Sequence, residues 1–177
     1  MIELMLKHIL LAACVAASTL TVHAQVPSYL GRYEGSQPDT DAIVQVTKDF
    51  QAALLGKDAK KLSSLFLNPK ILFTSPASPA RVKQRRQGGD VGFDGINAAG
   101  ASDFVAFIAA SPEVIEEKFY NIRITQDRHL AWVMFDFEFL EGKQVTNHGL
   151  EMWQMLKTDD GSWKIFSVAW SSHGAPK

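Results

Sequence analysis

The sequence predicts an α+β domain in which helices pack against one face of a strongly curved antiparallel sheet. Three observations carry that expectation. Over residues 119–170 strand-like runs follow one another across turn signals: FYNIRITQ into HLAWVMFDFEFL, then QVTNHGLEMWQMLK, then SWKIFSVAW. Helix-period patterns come before these runs instead of alternating with them, which separates an α+β layout from a parallel α/β one. Ten of the 18 aromatic residues and all 4 tryptophans fall in that last third, enough to furnish one buried sheet face.

Each element has its own signal. Asp39, Thr40 and Asp41 offer N-caps and negative charge at a helix start. Ile43, Val46, Phe50 and Leu54 follow at three- and four-residue spacing, so 41–55 reads as an amphipathic helix that Gly56 stops. Asp58 caps a second, shorter helix carrying Leu62, Leu65 and Phe66, which Asn68-Pro69 ends. Ile71-Leu72-Phe73 is a short strand. Residues 76–100 then form a long connection without a regular pattern, of the kind used as a lid, a binding loop or a disordered segment. It holds the one basic run, Arg81-Val82-Lys83-Gln84-Arg85-Arg86. No interleaved aromatics and no glycine-rich phosphate motif accompany that run, so a solvated loop is expected in place of a nucleic-acid or phosphate site. Ser102 caps a short helix with Phe104, Val105, Phe107 and Ile108, closed by Pro112. Hairpin signals at Asp127-Arg128, Glu141-Gly142 and Asp159-Asp160-Gly161 divide the strands that follow.

The chain before the first helix reads as a leader and a tether. Lys7 and His8 precede the apolar run from Ile9 to Val22, and Val22-His23-Ala24 fits signal-peptidase cleavage after Ala24. The competing reading is lipidation at Cys14, where Leu11-Ala12-Ala13-Cys14 fits a lipobox. The apolar run falls short of the ~20 residues that span a bilayer, so no integral membrane segment is expected in the mature chain. This predicts a signal peptide at 1–24, a tether at 25–38, one domain at 39–173, and a periplasmic or secreted location. The net charge of −1 provides no field for nucleic acid, which is not expected as a partner. Cys14, the only cysteine, leaves with the leader, so stability must come from the core without disulfides.

The element order, the first helix with Phe50 and Gly56-Lys57-Asp58, the stretch GLEMWQMLK at 149–157, and Gly161-Ser162-Trp163-Lys164-Ile165 running into Ser167 and Trp170-Ser171 resemble the nuclear-transport-factor-2-like superfamily. The SnoaL-like and lumazine-binding-type branches are the nearest in pattern. The resemblance covers most of residues 40–172. It implies a cone-shaped α+β roll, cystatin-like, with the sheet wrapped around the first helix and a pocket at the open end. It also implies pairing into homodimers through the outer sheet face, and binding of small apolar or polycyclic molecules. Some members are isomerases, cyclases or dehydratases. A histidine expected two residues before the glycine is Asn147 here, with His148 displaced by one.

Strand alternation sets the candidate site. Phe135, Phe137 and Phe139 share one face and are expected to look into the cone, whereas Trp132, Met134, Asp136 and Glu138 share the other. Two registers of the second hairpin remain open. One joins Asn147, Gly149, Glu151, Trp153 and Met155 to the Phe face, and the other brings His148 there; the resemblance favours the first. Glu151 among aromatics is a candidate general acid or base, with a structural glutamate as the alternative. Asn147 and Ser167 are the candidate partners for developing charge. Phe50, Phe135, Phe137, Trp153, His148 and Trp170 are the candidate ligand contacts. Asp136 and Glu138 read as a solvated or subunit-facing pair. His129, His148 and His173 lack metal spacing and the serines lack a GxSxG turn, so no metal, cofactor or hydrolase triad is expected. The expected function is non-covalent binding of a small apolar molecule. The alternatives are a cofactor-free isomerase, cyclase or dehydratase, and a protein-interaction module working through the outer sheet face.

Overall fold

The computed structural model describes residues 26–176. The chain divides into two units, Met1–Arg32 and Tyr33–Lys177. Of the first, only 26–32 are described, a short stretch with a turn at 28–31. The expected leader, its cleavage point and Cys14 lie outside the described residues.

The second unit opens with α1 (Gln37–Leu55), four residues earlier than the apolar spacing indicates. Ser36 is its N-cap, its hydroxyl accepting from Asp39 N–H at 3.2 Å, and Pro38 suits the first turn. The segment read as a tether is therefore anchored from Glu34 onward, where the Glu34 carboxylate takes a two-pronged bond from Arg128 at 2.7 and 2.8 Å. Asp39 does more than cap. Its carboxylate accepts from Trp163 Nε1 (3.1 Å), Lys157 Nζ (2.6 Å) and Gln126 Nε2 (3.1 Å), pinning the helix to the ends of three strands. Those bonds, the Lys157 ammonium foremost, hold the Asp39 carboxyl well below the usual carboxylate range. Ile43, Phe50 and Leu54 form the buried stripe that the spacing predicts.

After α1 come α2 (Ala59–Ser64) and β1 (Leu72–Pro76), then α3 (Pro79–Gln87), β2 (Ile96–Gly100) and α4 (Ala101–Ala110). The connection expected to lack structure thus contains a helix and a strand. Ser78 caps α3 and Gly88 ends it, but no residue of α3 is buried, so it has no apolar stripe to read. Its basic residues turn back on their own loop: Arg86 donates to the Phe93 carbonyl at 2.9 Å, and Arg85 sits 4.1 Å over the Phe93 ring while pairing with Asp90. β2, with the sequence INAAG, is exposed along most of its length and shows no alternation.

The meander follows as β3 (Ile115–Asp127), β4 (Leu130–Glu141), β5 (Gln144–Lys157) and β6 (Trp163–Trp170). The strands form one curved, unclosed sheet in the order β2-β1-β6-β5-β4-β3. The sheet is mixed, because β1 runs parallel to β6 (Phe73 opposite Val168) and antiparallel to β2. β6 reaches β1 only after three reversals of the meander, and that count sets its direction. No helix among the described residues is long and apolar enough to cross a membrane.

The second hairpin uses both registers. Glu141 pairs with Gln144 around a two-residue Gly142-Lys143 loop, with Gly142 at φ +64°, a conformation glycine adopts freely. A bulge at Thr146 then shifts the pairing, so Phe139 faces Asn147 and Phe135 faces Glu151. From the bulge onward Asn147, Gly149, Glu151, Trp153 and Met155 share the inner face with Phe135 and Phe137. Phe50 of α1 packs on this face, its ring centroid 4.9 Å from that of Trp153.

Candidate active site

A cavity of about 210 Å³ lies between the inner sheet face, α1 and α4. Its walls are aromatic: Phe50 from α1, Phe73 from β1, Phe104 and Phe107 from α4, and Phe137 and Phe139 from β4. Val168 and Trp170 of β6 complete the apolar lining. Phe107 is half exposed and stands at the rim. Three polar side chains interrupt this surface, namely Glu117, Asn147 and Glu151.

Glu151 is 5% exposed, and its Oε1 accepts a 2.6 Å bond from the indole Nε1 of Trp153 two residues along the same face. Burial pushes its carboxyl up to about 7, against the pull of the bonds from Trp153 and Glu117. Glu117 is 4% exposed. Its carboxyl lies well above the ordinary range, first from burial, then from the charge of Glu151 and the hydrogen bond between the two. Two adjacent carboxylates in an apolar site cannot both ionise at low cost, so the pair favours holding a proton between them. Asn147 is held through its carbonyl oxygen, which accepts from Ser172 Oγ (2.9 Å) and the Gly174 N–H (3.3 Å). Its amide nitrogen has no hydrogen-bond partner among the described residues and is available as a donor.

The structure brings together Glu151, Asn147, Phe50, Phe137 and Trp170 of the candidates read from the sequence. Phe135 and Trp153 are buried beneath the cavity, with ring centroids 5.0 Å apart, and support it without lining it. Two candidates are misplaced. Ser167 pairs with Gln154 on the opposite face, because a bulge between Gln154 and Met155 shifts the register of β6 while Val168 stays opposite Trp153. His148 alternates outward from Asn147, its Nδ1 lying 2.8 Å from the Gly174 carbonyl oxygen and its ring 5.4 Å from that of His173. Asp136 and Glu138 lie on the outer face, bonded to Asn121 (2.6 Å) and Tyr120 (2.9 Å).

Glu117 is the functional residue that sequence reasoning missed. The strand was read as starting at Phe119, whereas it starts at Ile115. Extending the alternation back by four residues places Ile115, Glu117 and Phe119 on one face, which is the signal that was present.

The architecture matches known structures. A conserved protein of Planctomyces limnophilus superposes with a TM-score of 0.60 at 17% identity, covering 78% of this chain and 99% of that one. A nuclear-transport-factor-2-like protein of Cytophaga hutchinsonii gives 0.58 at 15% identity, covering 78% and 100%. This chain has the nuclear-transport-factor-2-like fold. A third protein of that architecture, from Novosphingobium aromaticivorans and provisionally named a scytalone dehydratase, gives 0.56 at 15% identity, covering 77% and 85%. No family model and no curated protein matches the sequence. At these identities the nuclear-transport-factor-2-like likeness establishes the fold, while chemistry must be argued from the side chains.

Proposed function

We propose that the domain binds a compact, largely apolar molecule in the aromatic cavity and holds its polar group with Glu151, Glu117 and Asn147. The observation that carries this reading is the composition of the walls, aromatic on every side with three clustered polar exceptions, which is the usual make-up of a small-molecule site. A cavity of roughly 150 Å³ accommodates benzene, so about 210 Å³ suits one ring or a small fused pair, not an extended polycycle. Native mass spectrometry of protein purified from the exporting cell tests it. A retained molecule of that size is expected, and a cavity that takes up no small aromatic at millimolar concentration contradicts the proposal.

A second reading has its own support. A carboxyl lifted to about 7 beside a second carboxyl that burial also raises is suited to proton transfer near neutral pH. In a cofactor-free isomerase, cyclase or dehydratase, Glu151 takes the proton, Glu117 supplies one, and the Asn147 amide donates to the developing charge. The name of the Novosphingobium protein fits such a use of this fold. Glu151→Gln should abolish turnover while leaving binding of a neutral ligand nearly unchanged.

The outer sheet face leaves Trp132, Leu150 and Met152 exposed, which supports homodimer formation through that surface. Sedimentation of the wild type against Trp132→Glu tests it, with a monomer expected for the variant alone. Export with cleavage after Ala24 remains part of the proposal, to be read from the N-terminal residue of the secreted protein.

A further inference from the structure

Every element that walls the cavity contributes aromatic or aliphatic groups except at Glu117, Asn147 and Glu151. Among the described residues, no lysine, arginine or histidine lines it. Lys57 Nζ donates to the Ser111 carbonyl at 2.6 Å, and Lys118, next to Glu117 in sequence, lies with its Nζ 4.0 Å from Glu116. Glu117 is more than nine-tenths buried, lines the cavity, and has Glu151 as its one polar partner among the described residues. Among the lining residues, then, a carboxyl pair has no positive counterpart, and the surrounding surface is aromatic apart from Val168 and Asn147.

We infer that the cavity recognises a compact organic ammonium ion, an arylalkylamine in chemical class, whose charged nitrogen sits between the two carboxyls and whose hydrocarbon part lies against the aromatic walls. This rests on the small-molecule-binding reading and names the ligand chemistry of the same site. An ammonium supplies the missing positive charge and hydrogen-bond donors for both carboxyl groups. Phe50, Phe137 and Trp170 line the same cavity, and aromatic walls of this kind attract a cation placed over a ring and also bury apolar surface. A metal ion fits less well. Calcium seeks six or more oxygen ligands, whereas the cavity offers two carboxyls and an amide whose oxygen already serves Ser172 and Gly174.

Linkage supplies a distinguishing signature. In the empty site burial raises both carboxyls above their ordinary range and so favours their protonated forms. An ammonium between the carboxyls favours their ionised forms, so binding releases a proton and strengthens as pH rises from 5.5 to 7.5.

The test compares benzylamine with its neutral isostere, benzyl alcohol, by titration calorimetry in phosphate and in MES at pH 6.5, two buffers that differ in protonation heat and carry no primary ammonium. Benzylamine should bind at least tenfold more tightly, and the difference in heat between the two buffers should report about one proton released per ligand bound. Glu117→Gln, which keeps the shape of the side chain, should remove most of that preference. The pH dependence of benzylamine affinity in the wild-type protein needs no variant and should rise toward one tenfold step per pH unit. If benzyl alcohol binds as well as benzylamine without proton release, the ammonium inference fails while the apolar binding site stands. If neither binds at millimolar concentration, both fail.

Discussion

Glu151→Gln is the perturbation whose effect on stability can be worked through most fully. In the folded protein burial lifts the Glu151 carboxyl from 4.5 to about 7. A raised pKa means that the native state holds a proton which the unfolded chain has already lost, so stability falls as pH rises between those two values. The contribution is fully present below about 4.5, and its loss is complete above about 7. Each pH unit well inside the window removes about 1.4 kcal/mol and less near its two ends, so the step from pH 5 to pH 7 removes about 2 kcal/mol through this one group. Glu117 is raised as well and acts in the same direction. Set against a total of roughly 5–15 kcal/mol for a domain, the change is large. Asp39 and Asp160, both held below the usual carboxylate range, are ionised throughout this window and do not offset it. Urea unfolding followed by tryptophan fluorescence at pH 5, 6, 7 and 8 measures the profile. Glu151→Gln removes one titration and also the charge that lifts Glu117, so its loss of stability between pH 5 and 7 should be smaller by about 2 kcal/mol. Subtracting the two profiles cancels every group that the pair does not touch. Parallel profiles in the two proteins would refute the shared-proton assignment.

Further outcomes follow from the same structure. Trp153→Phe removes the 2.6 Å bond to Glu151. It should cost about 1.5–3 kcal/mol above pH 7, where the carboxylate is charged, and move the midpoint of the pH profile upward. Gly149→Ala would bring a Cβ to 2.5 Å from Ser171 Oγ and 2.7 Å from the Ser171 carbonyl oxygen. The end of β6 must then shift, and a loss of about 1–3 kcal/mol is expected in thermal or urea unfolding. Ser36→Ala should cost about 1 kcal/mol through the lost cap, readable as a lower urea midpoint at unchanged slope.

The sheet's inner face was legible in the sequence because alternation is a local property. Phe135 and Phe137 stand two residues apart, so a strand must place them on one side together, and Ile43, Phe50 and Leu54 must likewise form one helical stripe. α3 escaped because a helix with no buried residue carries no hydrophobic period; only Ser78-Pro79 and Gly88-Gly89 mark its ends. β2 escaped because INAAG, largely exposed at the sheet edge, need not alternate. The outward placement of Ser167 and His148 depends on bulges, which are single-residue events that leave little mark on composition.

The sequence alone determined the α+β class and the order of helices and meander, since both follow from the spacing of apolar groups along the chain, whereas the inward register of Glu151 was left open between two pairings and was decided by the bulge at Thr146. Only the tertiary structure decided that Glu117 shares the site. The two glutamates stand 34 positions apart, on strands separated by β4, and meet because the curved sheet turns both toward α1. A pKa is set by what surrounds a group in space, so the proton they share belongs to the folded protein and is carried by neither local sequence.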